Sequence, residues 1–138
     1  MQISSVAVFC GSRFGARPEY AAQARALGTA LGQAGLRLVY GGGHVGLMGA
    51  VADATLAAGG AVTGVIPSFL HSREIMHEGV TDLTVTETMH ERKALMFAAS
   101  DAFVVMPGGL GTFNQTIDII TFRHLSHNYR QNYNVTIE

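Results

Sequence analysis

Short apolar runs alternate along the chain with longer stretches whose apolar residues recur at helical spacing. Ile3 to Cys10 carries Val6, Val8 and Phe9, the mark of a strand buried on both faces, and stops at Gly11-Ser12. Pro18 then stands where a first helical turn tolerates it, and an Ala/Leu-rich stretch runs to Ala34 before Gly35. Leu36 to Tyr40 predicts a second strand, broken by Gly41-Gly42-Gly43. Val45 to Ala58 predicts a helix closed by Gly59-Gly60, and Ala61 to Ile66 a third strand ending at Pro67. Residues 67 to 80 are polar and irregular. Thr81 to Val85 is a weak fourth strand, Glu87 to Ser100 a helix, and Ala102 to Met106 a fifth strand that meets Pro107-Gly108-Gly109. Thr112 to about His127 predicts a last helix, and Asn134 to Ile137 a sixth strand.

Strands separated by helices imply an α/β domain with a doubly wound, mostly parallel sheet and helices on both faces. Ligands of such sheets bind outside the carboxyl ends of the strands. The glycine clusters at 11, 41–43 and 108–111 each follow a predicted strand, so they are expected along that one edge.

Composition narrows the picture. The 138 residues fit one domain, 1–138, and are 48% hydrophobic and 14% charged, enough for a core. A net charge of −1 gives no basic footprint, so no nucleic-acid partner is expected. One cysteine, Cys10, rules out an intramolecular disulfide and fits a reducing compartment. With no basic-then-apolar leader and no apolar run near the ~20 residues that span a bilayer, the expectation is a cytoplasmic protein with no membrane partner. Apolar helices such as Val45 to Ala58 leave more apolar surface than a chain this small easily hides, so a homodimer is expected.

The chemistry gathers at a few positions. Gly108-Gly109-Leu110-Gly111-Thr112 has the form of a turn whose bare N–H groups and helix N-terminus receive a phosphate. Gly41, Gly43 and Gly46 fit G-x-G-x-x-G, but no acid ends the third strand and no Lys-Ser/Thr follows Gly46, which argues against NAD and ATP chemistry. Arg92 and Lys93, the latter the chain's one lysine, lie at helical spacing from Met89 and Met96 and suit either an anion or a solvated helix face. His124 and His127 are spaced i, i+3 without an evident third ligand, so no metal is expected. His44 and His90 flank the same region, and Cys10 is expected in the core.

Cys10-Gly11-Ser12, Val39-Tyr40-Gly41-Gly42-Gly43, Gly46-Leu47-Met48-Gly49, Gly64-Val65-Ile66-Pro67, Met89-His90-Glu91-Arg92-Lys93 and Pro107-Gly108-Gly109-Leu110-Gly111-Thr112 follow one another in order. Together they resemble the LONELY GUY-type family of cytokinin riboside 5′-monophosphate phosphoribohydrolases, often labelled lysine decarboxylases. The resemblance implies a Rossmann-like homodimer, without cofactor, that cleaves a nucleoside 5′-monophosphate such as AMP or a cytokinin ribotide into free base and ribose 5-phosphate. It implies catalytic roles at Arg92 and position 115. It further implies substrate contacts at Ser12, Glu74, Arg92, Lys93, Gly108, Gly109, Leu110, Gly111, Thr112 and Thr121.

Two departures accompany the match. The family pattern P-G-G-x-G-T-x-x-E ends here in Gln115, which implies impaired hydrolysis. The chain also turns polar after Leu125, which implies a truncated or divergent carboxyl end. The alternative is a non-catalytic module that binds a nucleotide or a phosphorylated cofactor, in the manner of molybdenum-cofactor carriers.

Overall fold

A computed structural model describes residues 2–11, 13–70, 75–106, 117 and 135–137. Its elements are β1 (Ser5–Phe9), α1 (Pro18–Gln33), β2 (Arg37–Tyr40), α2 (Gly46–Ala57), β3 (Val62–Pro67), β4 (Asp82–Thr86), α3 (Met89–Ala98), β5 (Ala102–Val105) and β6 (Val135–Ile137). The predicted elements form where the apolar runs placed them. Of the helix expected over 112–127, only Ile117 lies within the described residues, and it is helical.

The strands make one sheet in the order β4-β3-β2-β1-β5-β6, and each of its pairings is parallel. β1 lies between β2 and β5, with Val6 opposite both Leu38 and Ala102. Consecutive residues of a strand face opposite sides, so the core divides in two. Val6, Val8, Leu38, Tyr40 and Val62 pack with Ala24 and Leu31 of α1 and with Leu47 and Val51 of α2. Ala7, Phe9, Val39, Val65, Phe103 and Val105 pack with Met96 of α3. Phe103 stacks between Phe9 and Phe97, with ring centroids 6.2 and 5.7 Å away. Covering both faces explains why β1 and β2 are continuous apolar runs. Each fully buried Leu or Val side chain there contributes roughly 1.5–3 kcal/mol as an upper estimate.

α1 and α2 approach closely because α1 presents Gly28 and Gly32 to its neighbour. A Cβ on Gly28 would overlap Val51 O and stand 2.9 Å from the Ala54 Cβ. α2 therefore buries Leu47, Val51, Ala52 and Thr55 within the chain. The apolar surface expected on this helix lies elsewhere, at Phe69 (66% exposed), Val85 (45%) and Leu95 (44%). Val85 belongs to β4, the strand at the sheet's edge, which is why that strand reads as weak. Among the described residues, no helix is long and apolar enough to cross a membrane.

From β1 the chain builds outward through β2, β3 and β4, then returns after α3 to place β5 on the other side of β1. The order reverses between β1 and β5. Residues 10–11 and Met106 leave the sheet at that crevice, where open parallel sheets receive ligands.

Candidate active site

α3 begins with a side-chain cap. Thr88 Oγ1 accepts from Glu91 N at 3.1 Å, and Glu91 Oε2 accepts from Glu87 N at 3.1 Å. This is a close variant of the capping box. It starts α3 at Met89 rather than Glu87, and it occupies one of the few acids near this edge. With the helix phase set, Arg92 and Met96 fall on the buried face, four residues apart.

Arg92 is buried, at 5% exposure. Its guanidinium lies against the carboxyl ends of two strands: Nε donates to Val65 O and Nη2 to Gly41 O, each at 2.8 Å. Nη1 contacts Met89 Sδ at 3.5 Å. Burial away from water pulls its pKa down to about 10, so it remains a cation at neutral pH. Of five guanidinium N–H groups these contacts use three, and no carboxylate pairs with it among the described residues. The solvated-face reading of Arg92 therefore does not hold. Its partner in sequence, Lys93, is half-buried one position along α3.

The triglycine loop acts as a hub. Gly41 O accepts from Arg92, Gly42 O from His77 N at 2.8 Å, and Gly43 O from the Tyr40 hydroxyl at 2.8 Å. The first turn of α2 sends Met48 N to Gly11 O at 3.2 Å, which ties the loops after β1 and β2 together. These three carbonyls are thus engaged within the protein. Gly41 must lack a side chain, because a Cβ there would overlap Arg92 Nη2 and stand 3.0 Å from Met48 Cε.

Two tyrosine and cysteine neighbours are inert. Cys10 is buried and its thiol is pushed up to about 12 by desolvation, so it is no nucleophile at neutral pH. Tyr40 is likewise raised, first by burial and then by Asp53 and Cys10. A cleft of about 390 Å³ opens on the α1/α2 side, lined by Phe14, Arg25, His44 and Asp53 among others, but Arg92 does not line it.

Of the expected site residues, Arg92 is at the carboxyl edge and Lys93 beside it on α3. Ser12, Glu74, Gly108, Gly109, Leu110, Gly111, Thr112, Gln115 and Thr121 lie outside the described residues, as do His124 and His127. Sequence reasoning missed Tyr40, His77 and Asp53. Their bonds join residues far apart in the chain, or backbone to side chain, and no local pattern marks them.

This sheet, with its loops gathered at the carboxyl edge around a buried arginine, defines an open α/β protein of the Rossmann type. Solved structures agree on the fold. The molybdenum cofactor binding protein of Rippkaea orientalis superposes with a TM-score of 0.75 at 22% identity, covering 99% of this chain and 90% of that one. A molybdenum cofactor carrier protein of Chlamydomonas reinhardtii gives 0.75 at 20%, covering 99% and 89%.

The chain belongs to the family whose model is described as "possible lysine decarboxylase", matched over residues 48–135, which is the LONELY GUY-type family its motifs resemble. A cytokinin riboside 5′-monophosphate phosphoribohydrolase of Rhodococcoides fascians is 48% identical over 126 residues, covering 90% of this chain and 64% of that protein. One of Arabidopsis thaliana is 44% identical over 120 residues, covering 87% and 55%. The chain thus spans between about half and two thirds of these relatives' length.

Proposed function

We propose that this chain hydrolyses the N-glycosidic bond of a purine or cytokinin nucleoside 5′-monophosphate, releasing the base and ribose 5-phosphate. The observation that carries the reading is Arg92: a buried guanidinium at the ligand edge of the sheet, held by two backbone carbonyls and a methionine sulfur with no carboxylate partner among the described residues, in a chain 48% identical to a phosphoribohydrolase. A cation so placed suits a phosphate or the charge that develops on a departing base.

Cleavage of a base–ribose bond passes through an oxocarbenium-like state, in which positive charge grows on the sugar. The base leaves with the bonding pair and takes a proton, and water adds to the anomeric carbon. In this reading Gly108 to Thr112 cradle the 5′-phosphate, Arg92 holds the phosphate or donates to the base, and Ser12, Glu74, Lys93 and Thr121 complete the substrate contacts. The resemblance assigns position 115 to the sugar. Gln115 keeps the hydrogen-bonding shape of a glutamate without its charge, and loss of one such electrostatic contribution lowers rates by ~10²–10³.

That same residue favours a second reading, in which the pocket binds a nucleotide or phosphorylated cofactor without turnover. Incubation with AMP or a cytokinin ribotide separates the two. Release of free base supports the hydrolase, and calorimetric binding without release supports the carrier. We further propose a homodimer that buries Phe69, Val85 and Leu95, with a cytoplasmic setting suited to a single buried thiol. A monomer at micromolar concentration in sedimentation would refute the dimer.

A further inference from the structure

The segment from Ile75 to Gly79 is pinned across the triglycine loop. Ile75 O accepts from His44 N at 2.9 Å, Met76 forms an antiparallel bridge with Gly43, and His77 N donates to Gly42 O at 2.8 Å. The His77 ring then ties this segment to α2. Its Nε2 lies 2.6 Å from Asp53 Oδ1, and its Nδ1 accepts from Gly79 N at 2.9 Å. Taken together the two bonds assign the tautomer. A ring nitrogen that accepts carries no proton, so the neutral ring holds its proton on Nε2 and donates it to Asp53. The ring is 12% exposed and the carboxylate 66%.

We infer that His77 and Asp53 are positioning residues for Arg92, acting through three consecutive glycines. Asp53 holds the ring, the ring holds residues 75–79, and that segment holds Gly42 and Gly43. Gly41, the next residue back, offers its carbonyl to the guanidinium. A run of glycines has wide backbone freedom and does not hold a carbonyl in one place unaided. Val65 O, the other acceptor of Arg92, is fixed by the pairing of β3 with β4, whose register runs from Thr63–Asp82 to Pro67–Thr86. Releasing the ring therefore moves one acceptor and leaves the other, which turns the guanidinium without undoing the sheet. The importance of this aim for substrate rests on the proposed function, whereas the latch itself rests on the contacts above.

The test compares wild type with Asp53→Ala and Asp53→Asn. Asp53 is an exposed residue in the body of α2, where alanine is a favourable helix former, so the fold survives its loss. Asparagine keeps an oxygen to accept the Nε2 proton. Two quantities are read: hydrogen exchange of the Arg92 Nη2–H that bonds Gly41 O, by NMR, which needs no activity, and KM and kcat with AMP. In Asp53→Ala the competent arrangement is populated less, so exchange is expected to quicken about tenfold and KM to rise about tenfold, with kcat within about twofold. Asp53→Asn is expected to restore both. Exchange and KM unchanged in Asp53→Ala would overturn the inference, and Asp53→Asn behaving like Asp53→Ala would overturn the tautomer on which it stands. A response in Arg92 exchange in a protein that neither binds nor cleaves AMP would leave the latch standing and refute the proposed function instead.

Discussion

Placing a methyl group on Gly41 tests whether the triglycine loop exists to admit Arg92. A Cβ at this position would overlap Arg92 Nη2 and lie 3.3 Å from Cζ and 3.0 Å from Met48 Cε. Met48 is flexible at its tip and can yield, but the guanidinium cannot turn away without leaving Gly41 O and Val65 O. Gly41 is not among the glycines with positive φ, so alanine strains no backbone there. The cost is therefore a displaced cation and its lost hydrogen bonds. A bond to a charged group contributes about 1.5–3 kcal/mol, so Gly41→Ala is expected to cost about 2–4 kcal/mol. Arg92→Ala alone is expected to cost about 3 kcal/mol, because it leaves both carbonyls unpaired around a cavity. In the Arg92→Ala background the methyl meets no guanidinium, and Gly41→Ala should then cost under about 1 kcal/mol. The coupling, about 2 kcal/mol, is read from urea denaturation of the two single variants and the double variant. Equal costs of Gly41→Ala in the two backgrounds would refute the reasoning, since the glycine would then serve the loop and not the arginine.

Further tests concern titration, the amino edge and position 115. The Cys10 thiol is raised from 9.0 to about 12 on folding, so above pH 9 the unfolded chain sheds this proton first. Its contribution is complete below pH 9 and is lost up to about 12, at a slope of about 1.4 kcal/mol per pH unit. Denaturation of Cys10→Ala across that window should begin its alkaline decline later than wild type. Asp101 is held below the usual carboxylate range, first by the Ser4 N–H, through bonds of 2.9 Å to Ser4 N, 2.9 Å to Ser4 Oγ and 3.2 Å to Ser5 N. Its stabilisation is present above the ordinary aspartate pKa and disappears as acid takes pH through the lowered value, so Asp101→Ala should flatten the acid limb of a melting-temperature profile. Gln115→Glu should raise kcat for AMP hydrolysis by ~10²–10³ with KM little changed, since the restored charge acts mainly in the transition state. An inert variant that still binds AMP would favour the carrier reading.

The order of elements was legible in the chain because each depends on local chemistry. A strand covered on both faces must be a run such as Leu38-Val39-Tyr40, and the glycines and prolines that interrupt the runs mark where the chain turns. The edge on which the loops converge was equally legible, since strands joined by helices lie parallel. The start of this helix was less exact, since the apolar pattern began it at Glu87 and the cap at Thr88 begins α3 at Met89.

The character of Arg92 was not legible. Beside Lys93 and two methionines it suits a solvated face as well as a buried one. Its acceptors, Val65 O and Gly41 O, lie 27 and 51 positions away in the chain and meet it only when β2, β3 and α3 pack. Nor was it legible that the three carbonyls of the triglycine run receive an arginine, a backbone amide and a tyrosine hydroxyl from the protein itself. The pairing of His77 with Asp53 is of the same kind. Local sequence constrains a residue's backbone and the face it presents, but long-range hydrogen bonds arise from the packing of elements, and a short window carries no record of the partner.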